Sequence, residues 1–408
     1  MKCRHCAAEL ERVCLDLGSA PPSNAYLSEA ALRAPEVWVP LRLLVCERCW
    51  LVQTEDHAGR AELFSADYAY FSSFSSSWLA HAEAYVQAMR ERFGLTRSSL
   101  VCEVAANDGY LLRFVREAGI PCYGVEPTAS TARAARGLGL EIVERFFGVE
   151  LAHELASAGR RVDLVAANNV LAHVPDINDF VRGFALLLKE NGVATFEFPH
   201  LLRLLRENQF DTVYHEHYSY LSLGTVARIF EACGLAVFDV EELSTHGGSL
   251  RVFAQRSDTG KRARTEAIDR VLRDEAEAQL ASAAGYRGFQ ERIDKLKDDF
   301  VGYLIEARRA GRKVAAYGAA AKGNTLMNYA GVRPDHIAFV ADRNPAKQGR
   351  YMPGSRIPIV DEEQLRRVRP DDIVLLPWNL RDELTAQLDY VRAWGGRFVT
   401  AVPRLEIT

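Results

Sequence analysis

No stretch of this 408-residue chain is apolar for long enough to cross a bilayer; the longest apolar runs fall well short of the ~20 residues a span requires. Basic runs, low-complexity tracts and internal repeats are missing as well. The formal charge of −4 offers no broad attraction to nucleic acid or anionic lipid. The first residues, MKCRHCAAEL, have no apolar signal-peptide core. These absences predict a cytoplasmic protein with no membrane or nucleic-acid partner, and a monomer is the expectation. The pyrophosphate fingerprint G-x-G-x-x-G is also absent, which counts against a dinucleotide cofactor. What is present is ordinary for a globular protein: 48% hydrophobic and 25% charged residues. The length suggests two or three domains.

The eight cysteines are unevenly spread. Cys3, Cys6, Cys46 and Cys49 form two CxxC pairs, whereas Cys14, Cys102, Cys122 and Cys233 stand alone. In a reducing compartment such pairs point to metal rather than disulfides. Four thiolates suit tetrahedral zinc and leave no position for a catalytic water, so the expected role is structural. The long segment between the pairs must form a small subdomain that brings them together. Cys14 reads as a spare thiol and His5 as solvent-facing.

From Ser98 the chain alternates between strand-like and helix-like segments. SLVCEVA, CYGVEP, VDLVAANNV and VATFEFP read as buried strands; GYLLRFVREAG, STARAARGLG and INDFVRGFALLLKENG read as helices. TVARIFEACG, LAVFDVEEL and SLRVFAQR continue the series. This alternation predicts an α/β fold with a parallel, doubly wound sheet. Residues 258–310 are charged and helical, after which KVAAYG, IAFVAD, DIVLLP and RFVTAV predict a second, Rossmann-like α/β unit. The expected domains are 1–66 (zinc-binding), 67–255 (the larger sheet) and 256–408 (a helical connection and the smaller sheet).

The turn EVAANDGYLL follows the first strand of the larger sheet, where such folds bind ligands. Folds that bind S-adenosylmethionine (SAM) usually carry an acidic residue and three glycines here, spaced two apart. The corresponding residues are Glu103, Ala105, Asn107 and Gly109, a degenerate version. Glu126 ends the second strand, where a carboxylate can accept hydrogen bonds from both ribose hydroxyls. Phe146 and Phe147 are candidates to sandwich adenine, with core packing the alternative. Asn168 and Asn169 fall at the carboxyl end of the next strand, and His173 lies in the loop beyond it.

VYHEHYSYLS concentrates titratable groups at Tyr214, His215, Glu216 and His217. Proton transfer is the leading reading, ahead of a polar loop or a metal site. In an extended strand His215 and His217 would converge, but no third ligand is evident nearby. AAYGAAAKGNTL, with Lys322, Gly323 and Asn324, follows a strand and opens a helix, an arrangement suited to a phosphate; a tightly packed strand–helix turn is the alternative. Asp342, Lys347 and Tyr351 are candidates for the base and ribose side of a nucleotide. Trp378 and Asn379 end a further strand, and Tyr70, Phe71, Ser72 and Ser75 form an aromatic loop that could cover a ligand.

EVAANDGYLL, NNVLAHVPDINDF, FEFPHL, YHEHYSYLS and THGGSLRVF together resemble the SAM-dependent dTDP-4-keto-deoxysugar C-methyltransferases of antibiotic deoxysugar biosynthesis. The resemblance extends over essentially the whole chain. It implies SAM and structural zinc as cofactors, and a class I methyltransferase core followed by a nucleotide-sugar-binding domain. It also implies catalytic groups at Tyr68, His173, Tyr214, Glu216 and His217. A 4-keto sugar is acidic at C3 and C5; C3 is the favoured site and C5 the alternative. His217 is then the expected base, with Glu216 beside it and Tyr214, Tyr68 and His173 as donors to the C4 oxyanion. A nucleotide-sugar-binding scaffold with a vestigial methyltransferase fold is the non-enzymatic alternative.

Overall fold

The computed structural model describes residues 1–57 and 71–408. Tyr68 and Tyr70 lie outside the described residues. The strands in chain order are β1 (Arg12–Ala20), β2 (Val39–Val45), β3 (Val52–Thr54), β4 (Val101–Val104), β5 (Cys122–Val125), β6 (Ile142–Val143), β7 (Val162–Asn168) and β8 (Leu188–Pro199). There follow β9 (Ser219–Tyr220), β10 (Leu235–Leu243), β11 (Ser249–Arg256), β12 (Val314–Tyr317), β13 (Val340–Ala341) and β14 (Ile359–Val360). The last three are β15 (Asp372–Leu375), β16 (Arg397–Thr400) and β17 (Glu406–Ile407).

The central sheet runs β10-β11-β8-β7-β4-β5-β6. It is parallel from β8 to β6, and its strands are apolar along both faces because helices cover both sides. Phe180, Phe184, Phe196 and Phe230 pack ring on ring in the core, with successive centroids 4.6–5.1 Å apart. The expected all-parallel sheet needs one correction: β11 is antiparallel to both β10 and β8. Only residues 244–248 separate β10 from β11, and a parallel return needs a crossover of a dozen residues or more. The helix expected through Gly192 also stops earlier, at Leu187, where β8 begins. A further helix, Val149–Ser157, lies between β6 and β7 in chain order and packs against helix Ile177–Leu187.

The third sheet runs β14-β13-β12-β15-β16-β17 and is parallel except for β17. In both α/β sheets the chain order reverses beside the first strand, β4 in one and β12 in the other. Ligands bind at the carboxyl ends of strands at such a reversal. The amino-terminal sheet is antiparallel, in the order β1-β2-β3-β9. Its fourth strand comes from residues 219–220, so the segment expected to carry the chemistry is paired to the cysteine-bearing sheet. No helix among the described residues is long and apolar enough to cross a membrane.

Candidate functional site

After β4 the backbone takes left-handed values at Ala105 (φ 61°), Asn107 (φ 48°) and Gly109 (φ 82°). The missing glycines have therefore not changed the turn: Asn tolerates this region and Ala105 adopts it with strain. At Gly109 a side chain would be strained by the positive φ, and an added Cβ would lie 2.4 Å from Leu140 Cδ1, which would have to shift. The turn brings the Asn107 amide to Glu126 Oε2 at 2.9 Å, and Thr128 N donates to Oε1 at 2.9 Å. Glu126 is thus fixed at the end of β5 by two backbone donors, and burial raises its pKa. Glu103 is fully buried beneath the turn, and burial raises its pKa well above the usual carboxylate range. Ser72 N donates to Asn107 Oδ1 at 3.0 Å, tying this residue of the aromatic loop to the turn. Ser75 instead caps the helix Ser76–Phe93, accepting from Trp78 N. Phe71 packs on Phe74.

A single cavity of about 370 Å³ extends from this turn. Ala105, Asn107, Glu126, Phe146, Asn168 and Asn169 line one part of it. Phe147 also lines it but is buried and packed against Phe180 and Phe184. Asn168 Oδ1 is buried with no hydrogen-bond partner among the described residues. A carboxylate placed for the ribose and an aromatic at the rim fit SAM. They do not fit a diphosphate, because the carboxylate occupies the turn's Asn107 amide.

His173, Tyr214, Glu216 and His217 line the same cavity. Tyr214–His217 form a β-turn, closed by His217 N to Tyr214 O at 2.9 Å. This corrects the extended strand in which His215 and His217 would converge. The turn sends His215 away to the carbonyl of Pro40 (3.1 Å), so the pair cannot share a metal. His217 Nδ1 donates to the Thr212 carbonyl at 2.9 Å, which places the lone pair on Nε2. Burial, with His173 and Lys322 adding to it, holds His217 well below the usual imidazole range, so it is neutral. Its ring lies 4.0 Å from that of Tyr214 and 4.6 Å from that of His173. His173 donates from Nδ1 to Glu216 O at 2.8 Å, and burial lowers its pKa to about 4. Burial pushes the Glu216 carboxyl up to about 7; both its oxygens accept from Asn24 Nδ2 at 3.1 Å.

Lys322 and Lys347 reach the cavity from the third sheet, with Ala320 and Ala321. Lys322 Nζ donates to Asn379 Oδ1 (2.8 Å) and lies 4.9 Å from the centre of the Trp378 ring. Trp378 Nε1 in turn donates to the buried Asp211 at 2.7 Å. Lys347 Nζ donates to Ala319 O, and Asp342 accepts from Ala319 N, both at 2.7 Å. Gly323 answers a packing demand, since a Cβ there would lie 2.7 Å from Leu376 Cδ1. Asn324 is buried and donates to Ser23 O. Tyr351 is not among the described cavity residues; it bridges to Leu27. Asn24, Trp78, Tyr110 and His246 line the cavity without having been singled out. No spacing rule marks them, because each arrives from a different part of the chain.

The four paired cysteines lie together, with all sulfurs within 4.8 Å of one another and Cys3–Cys49 and Cys6–Cys46 at 3.5 Å. Zinc–sulfur bonds of about 2.3 Å put tetrahedral sulfurs roughly 3.8 Å apart, so the donor set fits zinc. Both knuckles turn alike: Ala7 (φ 58°) and Trp50 (φ 65°) each follow the first cysteine by four residues and donate to its carbonyl. Cys3 and Cys49 share one proton across their contact: the hydrogen bond holds Cys3 below the usual thiol range and Cys49 above it. Cys14 lies outside the cluster, and burial raises it to about 12. His5 is half-buried and bonds Asn178 Oδ1 at 2.8 Å, correcting the solvent-facing expectation.

Zinc removal should therefore act on chemistry before cofactor binding. Thr54 Oγ1 donates to His217 O at 2.9 Å, and β3 pairs with β9, so the zinc-organised sheet holds the Tyr214–His217 turn. The SAM side is built mainly by the loops at the carboxyl ends of the central sheet's strands. A Cys46→Ser protein is expected to lose stoichiometric zinc, by elemental analysis, and turnover, while calorimetry still detects S-adenosylhomocysteine binding. Full turnover without zinc would refute this.

Strand order, left-handed turn and second-strand carboxylate define a class I SAM-dependent methyltransferase with an amino-terminal zinc site. Family models agree segment by segment. The zinc binding domain of this methyltransferase group matches residues 3–64, a methyltransferase domain matches 78–240, and the C-methyltransferase C-terminal domain matches 244–403. The C-methyltransferase NovU of Streptomyces niveus is 34% identical over 402 residues, covering 98% of this chain and 95% of NovU. The chain belongs to this C-methyltransferase family and is a SAM-dependent C-methyltransferase. Among solved structures, SAM-bound magnesium protoporphyrin IX methyltransferase from Synechocystis PCC 6803 is 17% identical, covering 44% of this chain and 79% of its own, with TM-score 0.34. A SAM-dependent methyltransferase from Clostridium acetobutylicum ATCC 824 is 11% identical, covering 45% and 92%, with TM-score 0.36. At such scores neither adds to the assignment.

Proposed function

We propose that the chain methylates a ring carbon of a dTDP-4-keto-deoxysugar, preferably C3, through an enolate. The observation that supports this is the meeting of His173, Tyr214, Glu216 and His217 with the SAM turn and two lysines on one cavity. The proposed division is 1–66, 67–255 and 256–408, and each part supplies a wall. Bound SAM provides an electrophilic methyl group on a sulfonium. The residues must then make the acceptor carbon nucleophilic. The neutral His217 takes the α-proton at Nε2. Glu216, oriented by Asn24, stands beside it as the second base. Tyr214 and Tyr68 donate to the C4 oxygen as its charge develops, and one such donor is typically worth about 3 kcal/mol; His173, expected as a third donor, spends its Nδ1 proton on Glu216 O and turns an acceptor, Nε2, to the site. Lys322 and Lys347 supply positive charge for the diphosphate, and Asp342, Trp378 and Asn379 fix their surroundings. The dense cluster favours carbon over oxygen or nitrogen as the acceptor, because those heteroatoms need no carbon acid.

Incubation with SAM and a panel of dTDP-4-keto sugars should give a mass gain of one methyl group, and NMR should place it on C3. A methyl on C5 would shift the regiochemistry alone. Failure of every keto sugar, with S-adenosylhomocysteine still bound, would refute the substrate class.

A further inference from the structure

The loop of residues 244–248 joins β10 to β11 and carries His246 into the cavity. His246 has φ 56°, a left-handed conformation that an imidazole adopts only at a cost. Gly247 (φ 90°) and Gly248 (φ 112°) follow, and an added Cβ would strike Trp378 at the first and Arg203 at the second. Thr245 Oγ1 anchors the loop to the buried Glu197 at 3.0 Å. Strain at one residue persists where the surroundings enforce it, commonly at functional sites. Asn169, itself at φ 51°, brings Nδ2 to within 3.1 Å of His246 Nε2. The amide donates, so the ring proton is assigned to Nδ1. Trp78 supports the ring at 5.2 Å between centroids. Burial and the nearby Lys322 lower the pKa to about 4, so the imidazole remains a neutral donor.

We propose that His246 is a further catalytic residue, its Nδ1–H donating to the acceptor's carbonyl oxygen as that oxygen becomes an oxyanion. This rests on the enolate reading. In that step the base takes the α-proton, the C–H electron pair becomes the C=C bond, and the carbonyl π pair moves to oxygen. The strained loop and Asn169 aim the donor before the charge forms, so the step needs no reorientation at that point. Neutrality matters too, since an imidazolium here would oppose both Lys322 and a sulfonium.

The test uses His246→Gly and His246→Asn, since both residues tolerate a left-handed backbone. Each should lower kcat by about 10²–10³, with S-adenosylhomocysteine affinity within about twofold of wild type if no cofactor contact is lost. Solvent-deuterium exchange at the acceptor α-carbon, measured with S-adenosylhomocysteine bound, should fall in parallel. Added imidazole should restore both rates in the glycine variant, and circular dichroism should show a folded protein. Wild-type exchange in the variants would overturn the proposal and leave the enolate reading intact. Loss of S-adenosylhomocysteine binding would also overturn it, placing the ring on the cofactor. Absence of exchange in the wild-type protein would instead overturn the enolate reading, and the proposal with it.

Discussion

Replacing His217 by asparagine is expected to lower kcat by about 10²–10⁴, the usual loss when a general base is removed, with dTDP affinity nearly unchanged. The ring's geometry carries this expectation. The Thr212 carbonyl holds the Nδ1 proton, so Nε2 carries the lone pair. Burial keeps the group unprotonated. The α-carbon exchange measured with S-adenosylhomocysteine should disappear together with turnover. The pH profile separates the two neighbouring bases. A base with the depressed pKa of His217 is already neutral near pH 6.5, so kcat is flat above that value. Glu216 titrates at about 7, so as the base it would make kcat rise with pH through that value. A rising profile, together with full kcat in His217→Asn, would move the base to Glu216.

The second large effect falls on the cofactor. Glu126→Ala should weaken SAM binding on the order of 10²-fold, because the two ribose hydrogen bonds proposed for this carboxylate would be lost, each typically worth up to ~1.5–3 kcal/mol. The same substitution strips the Asn107 and Thr128 amides of their acceptor, so the turn beneath the cofactor loosens as well. dTDP affinity should hold, since its proposed contacts lie on the third sheet. Titration calorimetry with S-adenosylhomocysteine and with dTDP checks this; equal losses for both ligands would refute the assignment. The burial that raises the Glu126 pKa predicts a sign with pH. SAM binding should weaken as pH falls through that raised value, because protonation removes an acceptor.

Much of this was legible because it is local. Strand–helix alternation follows from side-chain periodicity, and the metal from two CxxC spacings that fold identically at Ala7 and Trp50. Glu126 was legible because a carboxylate at the end of the second strand has a fixed geometric relation to the first turn. The glycine-poor motif was harder to read: composition reports residue types, whereas the ligand meets a backbone, and Ala105 and Asn107 keep the left-handed path.

By itself the sequence determined most of the elements and their order, the two cysteine pairs and the chemical character of the Tyr214–His217 cluster. Each depends on neighbours a few residues apart, where covalent geometry limits the choices. Only the tertiary structure decided that His215 turns away while His217 faces the cavity, since one β-turn separates them. It also decided that β11 enters antiparallel and that β9 joins the zinc-bearing sheet. Asn24 reaches Glu216 across 192 residues, and His246 meets Asn169 across 77. Such meetings are set by which faces bury against one another, a property of the whole packed core that no local pattern encodes.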